Sequence, residues 1–363
     1  MTTTSYPDSP WDLPLAKFCH KLPKIELHAH LTGSISRQTL HEIWKQKKER
    51  DPAFEMVDPL LEIPVGKVDY DLETFFPLFT RYIYNLCNDL LSVHYSTHQV
   101  LTSFESSGTC YLELRTTPRA FPATGMTAEE YVSAVLDAID EYSRRPETKM
   151  VTRLILSVDR RDTLEKAMAT VQLAVKLRER GVVGVDLCGD PMKGDISLLH
   201  PAFTLAKSSR LGITLHFAEI PYPPTPTELQ TLLSFQPDRL GHVIHVSEAI
   251  KDEIARRGLA LELCLSCNIQ AKMMAEVGGF GDHHFGEWYK GRETRKCGLV
   301  ICTDDVGVFC SDLANEYYLV AMHFGLTKKE LWELSRNAVK AIFAGEEVKR
   351  RLEEQLMEFA RLE

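Results

Sequence analysis

The chain has 363 residues, enough for two average domains or one large barrel, and 44% of them are hydrophobic, which supports a substantial core. A formal net charge of −9 argues against a general nucleic-acid-binding protein. The first residues lack the basic end and apolar stretch of a signal peptide, and no apolar run is long enough to cross a membrane. Nine scattered cysteines suit a reducing compartment better than a disulfide framework. We therefore expect a cytosolic protein.

Eight short apolar segments alternate with helical patterns along the chain. Each segment is rich in Val, Ile and Leu, which is typical of strands buried on both faces. An eightfold alternation of this kind predicts an α/β fold, the (β/α)8 TIM barrel. The eight segments are residues 24–31, 110–119, 152–161, 182–191, 212–219, 239–245, 259–268 and 298–305.

The connection after the first predicted strand is unusually long, because residues 35–109 hold several amphipathic helical patterns. We expect this helical insertion to cover the mouth of the barrel as a lid. The region after residue 312 predicts two or three extra C-terminal helices. The proline-rich segment 221–228 is interpreted as a stiff surface loop and not as a linker. Residues 1–363 are therefore predicted to form a single domain.

Polar residues stand where the apolar segments end, and in such a barrel these ends meet at the mouth that carries active sites. Turns also attract polar residues, but a His- and Asp-rich set spread over eight segments is harder to explain in that way. The set is His28, His30, Arg119, Asp159, Gly189, Asp190, His216, Glu219, His242, Asn268, Asp304 and Asp305.

A possible metal site combines several of these residues. His28 and His30 are two apart at the end of the first predicted strand, so both would point to the same side. His216 offers a third imidazole from the fifth strand, and Asp304 offers a carboxylate from the eighth, next to the first in a closed barrel. Imidazole and carboxylate ligands with one open position are typical of catalytic zinc.

The order of the motifs His-x-His, "HFAE", "GHVIH" and "TDD" resembles the adenosine/AMP deaminase family over nearly the whole chain. The phrases "ELHAHL", "YLELRTTPR", "VDRR", "LCGDP", "HHFGEWY" and "VICTDDVGVF" are more similar to the eukaryotic adenosine-deaminase-like members that act as N6-methyl-AMP deaminases. The resemblance implies one Zn²⁺ per chain at the mouth of the barrel. Its ligands would be His28, His30, His216 and Asp304.

The chemistry of deamination assigns roles to neighbouring residues. Zinc lowers the pKa of bound water toward neutrality, and attack at C6 of a purine requires a proton at N1. Glu219, three residues after His216, is the candidate acid and base. The resemblance further implies that His242 orients or stabilises the hydroxide. It also implies that Asp305 binds purine N7 and that the backbone N–H of Gly189 donates a hydrogen bond to N3. Taken alone, a single histidine is more often structural, and an Asp-Asp pair is usually a turn.

The residue after His-x-His-Leu bears on the 5′ end of the substrate. Adenosine deaminases have Asp there, which meets the ribose 5′-hydroxyl, and N6-methyl-AMP deaminases usually have Asn, whereas this chain has Thr32. A carboxylate ~4 Å from a phosphate would cost roughly 4 kcal/mol per unit charge at an effective dielectric of ~20. A hydroxyl therefore fits a 5′-monophosphate better. His30 is also expected to contact the substrate.

The motif "RTTPR" offers further phosphate partners. Thr116 and Thr117 could donate hydroxyl hydrogen bonds, and Arg119, which follows Pro118, could bind an oxyanion through two N–H groups. Asp159 in "VDRR" is assigned to the ribose or to the exocyclic substituent. These four residues and Pro118 are predicted to bind substrate.

Two positions depart from the family pattern. Tyr84 is predicted to contact substrate near a place where close relatives have a His, and Val243 stands where relatives commonly have Gly. Asn268 is expected to support the mouth through hydrogen bonds. The residues interpreted mainly as structural are His245, His283, His284, Cys264 and Cys267.

The favoured interpretation is a monomeric cytosolic zinc hydrolase that converts N6-methyl-AMP and water to IMP and methylamine, with no nucleic-acid or membrane partner. An adenosine deaminase is the nearest alternative, opposed by Thr32 and "RTTPR". A dinuclear amidohydrolase commonly has a bridging Lys at the end of the fourth strand, where "VDLCGDP" has none and Lys193 comes later. A non-catalytic purine-binding barrel is disfavoured by the retained ligand set.

Overall fold

The computed structural model describes residues 14–362 except 65, 69, 224, 226 and 275–277. The first thirteen residues and two positions of the predicted loop 221–228 therefore lie outside the described residues. Eight parallel strands form one sheet in sequence order, which confirms the predicted barrel. The strands are β1 Lys24–His30, β2 Thr109–Thr116, β3 Val151–Asp159, β4 Val182–Cys188, β5 Gly212–Phe217, β6 Arg239–His242, β7 Ala260–Leu263 and β8 Gly298–Ile301.

Backbone hydrogen bonds just beyond β8 join the last strand to β1. The His30 N–H donates to the Asp304 carbonyl oxygen at 3.0 Å, and the Asp304 N–H donates to the His28 carbonyl oxygen at 2.7 Å. This closure brings the first and last predicted metal ligands side by side at the mouth.

Helices surround the strands, and three of them, α16 to α18, follow residue 312 as predicted. The α-helices are α1 Pro14–Lys21, α2 Leu31–Ser34, α3 Arg37–Arg50, α4 Pro59–Glu62, α5 Leu72–Leu78, α6 Tyr84–Leu86, α7 Leu90–Ser106, α8 Ala128–Ser143, α9 Leu164–Lys176, α10 His200–Ser208, α11 Glu228–Ser234, α12 Glu248–Arg257, α13 Leu265–Gln270, α14 Phe285–Arg295, α15 Val306–Phe309, α16 Leu313–Phe324, α17 Lys328–Ala338 and α18 Glu346–Leu362.

The insertion after β1 consists of α2 to α7. The amphipathic pattern at 72–87 predicts one continuous helix, but the structure divides it into α5, a π-helical turn Phe79–Ile83 and α6. Pro77 lies inside α5 and lacks the N–H that an α-helix would use there, so the regular hydrogen-bond ladder is interrupted.

The strands end earlier than the apolar segments predict. The seventh segment was expected to be extended over 259–268, but β7 ends at Leu263 and α13 begins at Leu265. Beyond β5, β6 and β8 the backbone enters the left-handed region, with φ of 56° at Ala218, 55° at Val243 and 65° at Asp304. Positive φ is uncommon for residues other than glycine and clusters at functional sites.

The strands are buried as their apolar composition predicts, but the barrel interior also holds charged side chains. The Arg115 Nη1 atom lies 3.2 Å from Asp186 Oδ1, and Arg239 Nη2 lies 2.6 Å from Glu113 Oε2. All four side chains are at most 1% exposed. Buried charges of this kind require partners, and here each has one.

Among the described residues, no helix combines the length and apolar character that crossing a bilayer requires.

Candidate active site

A cavity of about 710 Å³, partly open to solvent, lies at the carboxyl ends of the strands. Most of the predicted site residues line it. We call one group the metal cluster, and it consists of His28, His30, His216, His242 and Asp304. A second group, the arginine cluster, consists of Tyr84, Arg119, Asp159 and Arg161. Glu219, Asp305, Thr117 and Gly189 line the same cavity.

The four predicted metal ligands converge. His216 Nε2 lies 3.2 Å from His28 Nε2 and 3.1 Å from His30 Nε2. Asp304 Oδ1 lies 3.7 Å from His28 Nε2 and 3.4 Å from His30 Nε2. The barrel thus brings together residues from both ends of the chain as the sequence predicted.

The second nitrogen of two of these imidazoles is held by a buried carboxylate. His28 Nδ1–H donates to Glu262 Oε2 at 2.8 Å, and His216 Nδ1–H donates to Asp186 Oδ1 at 3.1 Å. When His216 is neutral, as a metal ligand must be, both Nε2 atoms present lone pairs to each other. Lone pairs at 3.2 Å repel unless a cation lies between them, so the donor set fits a divalent metal such as zinc.

Charges around the cluster support the same assignment. Burial holds the pKa of His28 well below its usual value and lowers that of His30 to about 3, so both are neutral. Burial alone would lower the pKa of His216, but the Asp186 carboxylate raises it to about 9, so without a metal a proton occupies the Nε2 position that a metal would take. Burial opposes ionisation of Asp304, yet the surrounding imidazoles lower its pKa and keep it anionic.

His242 is as close to this centre as His30. His28, His216, His242 and Asp304 each offer a ligand atom within 4.8 Å of the others. His242 Nε2 lies 3.7 Å from Asp304 Oδ2 and 3.9 Å from Glu219 Oε2. Distance alone therefore does not separate His30 from His242 as the third imidazole ligand.

Asn268 contacts His242 from behind, where the sequence predicted a supporting hydrogen bond. Its side-chain amide lies 2.9 Å from His242 Nδ1 and 3.0 Å from His283 Nε2. Asn268 is fully buried on α13, so this contact is shielded from water.

Asp305 faces the cavity with an oxygen that has no hydrogen-bond partner among the described residues. Burial, and then the charge of Asp304, raise the pKa of Asp305 well above its usual value. A Cβ atom at Gly33 would lie 1.4 Å from Asp305 Oδ1. The glycine after Thr32 is therefore required by the close approach of Asp305.

The arginine cluster is built from the last residue of β3, from residues that follow β2 and β3, and from α6. The Arg119 guanidinium lies 3.7 Å from the centroid of the Tyr84 ring, a cation–π contact. Arg161 Nε donates to Asp159 Oδ1 at 2.7 Å. Gly189 has φ of 108°, and a Cβ there would lie 2.7 Å from Asp159 Oδ1, so only glycine fits beside that carboxylate.

Three predicted substrate residues are not among the described residues that line the cavity. Thr32 is half-buried on α2. The Thr116 hydroxyl lies 2.7 Å from that of Tyr131, and Pro118 borders a separate surface groove beside Leu173. Their contact with substrate stays a prediction.

Sequence reasoning missed Arg161 and the buried residues behind the histidines. Arg161 belongs to the quoted motif "VDRR", and its spacing of two from Asp159 was an available signal. Glu262 accepts from His28 and also from Arg115 Nη2 at 2.8 Å. A Cβ at Gly241 would lie 2.5 Å from His28 Cε1, so this glycine makes room for the ring.

The insertion supplies an apolar part of the cavity wall that the sequence did not identify residue by residue. Its contributors are Phe75, Phe76 and Phe79. They place hydrophobic rings beside the cavity, as a site for a purine base requires.

Comparison with known proteins agrees with this geometry. The profile of the Adenosine deaminase family matches residues 23–359. The N6-mAMP deaminase of Arabidopsis thaliana is 36% identical and covers 93% of this chain and 96% of that relative. The N6-Methyl-AMP deaminase of Homo sapiens is 36% identical over 92% of each chain.

A solved structure has the same fold. The crystal structure of Arabidopsis ADAL complexed with IMP superimposes with a TM-score of 0.85 at 37% identity, covering 94% of this chain and 98% of that one. The chain therefore belongs to the adenosine deaminase family and is a hydrolytic deaminase that acts on carbon–nitrogen bonds.

Proposed function

We propose that this deaminase acts on purine nucleoside 5′-monophosphates and that its reaction is N6-methyl-AMP + H2O → IMP + methylamine. The observation that carries the proposal is that all of the metal cluster except the fully buried His28 lines one cavity together with the arginine cluster and Glu219. A nucleotide needs both groups, because its purine must meet a nucleophile while its phosphate needs cationic hydrogen-bond donors.

The metal cluster fits one Zn²⁺ per chain, held by His28, His30, His216 and Asp304. Zinc bound there would lower the pKa of water toward neutrality and so supply the nucleophile for C6. His242 orients this water and is not assigned as a ligand.

The remaining residues act on the purine. Glu219 is 7% exposed and lines the cavity, where it transfers a proton to N1 as water adds to C6. Asp305, whose Oδ1 has no partner among the described residues, donates a hydrogen bond to N7. The backbone N–H of Gly189 donates to N3. Methylamine leaves as the C6–N bond breaks and the leaving nitrogen takes up a proton.

The phosphate is assigned to the arginine cluster. Arg119 and Arg161 can each present N–H groups in pairs to an oxyanion. Thr117 supplies a hydroxyl, and Thr32 leaves this region without the carboxylate that would repel a phosphate. The related Arabidopsis protein has been solved with IMP and with GMP, which are both 5′-monophosphates.

The enzyme is proposed to act as a monomer in the cytosol. A monomer is supported by the fact that one chain supplies every residue assigned to the site. The cytosol is supported by the nine cysteines, which are unpaired and all within the described residues.

A substrate panel on zinc-loaded protein tests the proposal. Initial rates are measured by ultraviolet absorbance for N6-methyl-AMP, AMP, N6-methyladenosine and adenosine. We expect the highest kcat/KM for N6-methyl-AMP. A preference for the unphosphorylated nucleosides would overturn the monophosphate assignment and favour an adenosine deaminase.

A further inference from the structure

Two histidines just before α14, His283 and His284, lie behind the catalytic His242 and have no role in the function proposed so far. His283 is 2% exposed, and its Nε2 atom lies 3.0 Å from the Asn268 amide. The same amide lies 2.9 Å from His242 Nδ1. His242 is therefore linked to His283 through a single amide group.

The proton on His283 can be placed from its other contact. The backbone N–H of Phe285 donates to His283 Nδ1 at 3.0 Å. A backbone N–H only donates, so His283 Nδ1 must carry a lone pair. Burial holds the pKa of His283 well below its usual value, so the ring is neutral and its one proton lies on Nε2.

In the structure Asn268 Oδ1 faces His242 and Nδ2 faces His283, and the proton on His283 Nε2 requires these two amide atoms to be exchanged. His283 Nε2–H must donate, so the amide oxygen lies toward His283. The amide nitrogen then lies toward His242 and donates to His242 Nδ1. The two ends of an asparagine amide have nearly the same shape, and only the hydrogen bonds distinguish them.

The opposite arrangement loses hydrogen bonds. If the Asn268 nitrogen donated to His283 Nε2, the His283 proton would move to Nδ1 and meet the Phe285 N–H at 3.0 Å, donor against donor. Phe285 is the first residue of α14 and is fully buried. Its N–H has no partner within the helix, so this bond is not replaced.

His284 fixes the backbone of the same residue. Its Nε2–H donates to the His242 carbonyl oxygen at 2.6 Å. His242 itself has φ of 63°, a left-handed conformation that non-glycine residues adopt only when their surroundings enforce it. The two adjacent histidines thus hold the backbone and the ring of His242 together.

We infer that His283, acting through Asn268, holds His242 in the tautomer that carries its proton on Nε2. His242 Nε2 lies 3.7 Å from Asp304 Oδ2 and 3.9 Å from Glu219 Oε2, too far for direct hydrogen bonds, so this proton is available to a ligand. An Nε2–H has no lone pair for a metal.

His30, and not His242, is then the third imidazole ligand. His242 donates a hydrogen bond to the water oxygen that adds to C6, a step that rests on the proposed function, whereas the tautomer does not. His283 and Asn268 are positioning residues.

Nitrogen NMR of the zinc-loaded protein tests the tautomer directly. The rings are labelled with ¹⁵N-histidine, and the His242 signals are assigned by their loss in His242→Gln. We expect a protonated Nε2 and an unprotonated Nδ1. A protonated Nδ1, or a metal-bound Nε2, would overturn the inference even if N6-methyl-AMP is the substrate. The expected signals would support it even if another purine is the substrate.

Paired variants test the relay. His283→Gln keeps an N–H donor near the position of Nε2, whereas His283→Leu removes it. We expect His283→Leu to lose the Nε2–H signature and to lower kcat by about 10- to 100-fold, with KM and zinc content unchanged. His283→Gln should keep the signature and most of kcat.

The control for the paired variants is His200→Gln, on the outer helix α10, which should match the wild type. If His283→Leu kept the wild-type tautomer and kcat, or lost zinc in proportion to activity, the positioning role would be refuted. Because the NMR measurement on wild type does not use His283→Leu, a folding failure of that variant leaves the test intact.

Discussion

Four of the five metal-cluster residues line one cavity with the arginine cluster, but the two clusters are built in different ways. Each metal-cluster side chain lies on a strand or within three residues of its end, and buried partners hold three of the imidazoles: Glu262 behind His28, Asp186 behind His216 and Asn268 behind His242. Arg119 and Arg161 lie on connections after β2 and β3, and the Arg161 side chain is 49% exposed. The comparison teaches that the groups assigned to the reaction lie on the rigid barrel, while those assigned to the rest of the substrate lie on loops and the insertion, where residues vary more easily.

Metal removal should have the largest effect on activity, because the metal cluster loses the ion that supplies the nucleophile while the arginine cluster stays intact. We expect a chelator to abolish deamination while N6-methyl-AMP still protects the protein against heat. One equivalent of Zn²⁺ per chain, measured by elemental analysis, should restore the rate. Full activity in metal-free protein, or a need for two tightly bound metals, would contradict the mononuclear site.

Glu219→Gln should lower kcat by roughly 10² to 10⁴, since the amide cannot deliver a proton to N1. Its zinc content should equal that of the wild type because Glu219 is not assigned as a ligand. Glu248→Gln, at an exposed position on α12, is the control and should be fully active. A Glu219→Gln protein that has lost its zinc, or that turns over normally, would refute the assigned role.

Gly33→Ala should lower kcat/KM by about 10²-fold, because the added Cβ would lie 1.4 Å from Asp305 Oδ1 and must displace that carboxyl. Gly345→Ala is a matched control, since a Cβ at Gly345 meets nothing within 4 Å. Steady-state kinetics and thermal unfolding of both variants separate a displaced Asp305 from a general loss of stability. Equal kinetics in the two variants would mean that Asp305 is not needed where it lies.

Arg119→Ala should weaken the interaction with the nucleotide but not with the nucleoside. The change removes a charged hydrogen bond worth about 1.5 kcal/mol in a cavity open to solvent. We expect kcat/KM for N6-methyl-AMP to fall about tenfold, with that for N6-methyladenosine unchanged. Arg161→Ala should show the same selectivity with a smaller loss, and Arg350→Ala on α18 should show none. An equal loss of kcat/KM for nucleotide and nucleoside would show that this cluster does not bind the phosphate.

Thr32→Asp should have the smallest effect, because Thr32 is not among the described residues that line the cavity. A carboxylate ~8 Å from the phosphate costs roughly 1 kcal/mol at an effective dielectric of ~40, a loss of about fivefold for the nucleotide alone. Competing N6-methyl-AMP against its nucleoside measures this ratio, with Thr32→Asn as the uncharged control. A thousandfold loss would instead place Thr32 in direct contact with the phosphate.

The same contrast explains how much the sequence could predict. The apolar segments predicted the eight strands, and His-x-His with "TDD" predicted the metal cluster. Both signals are local in the sequence, and barrel closure brings the two motifs together. The strands were predicted to be too long because apolar residues such as Ala218 and Val243 continue the strand pattern into left-handed turns. Val243 has φ of 55°, a conformation in which glycine is unstrained.

Features that depend on distant contacts could not be predicted from local patterns. The need for Gly33 follows from where Asp305 lies, and the role of Glu262 follows from its position behind His28. The division of the insertion near Pro77 could have been found, because a proline inside a helical pattern interrupts the hydrogen-bond ladder. The lid role of the insertion stays a prediction, although Phe75 and Phe79 line the cavity.

Zinc titration of metal-free protein, with initial rates for N6-methyl-AMP and N6-methyladenosine at each point, tests the central claim most directly. It examines the metal cluster and the arginine cluster in one experiment. The account predicts that both rates rise linearly to one equivalent of zinc and then level off, with the nucleotide the faster substrate throughout. A plateau at two equivalents, or a faster nucleoside, would contradict it.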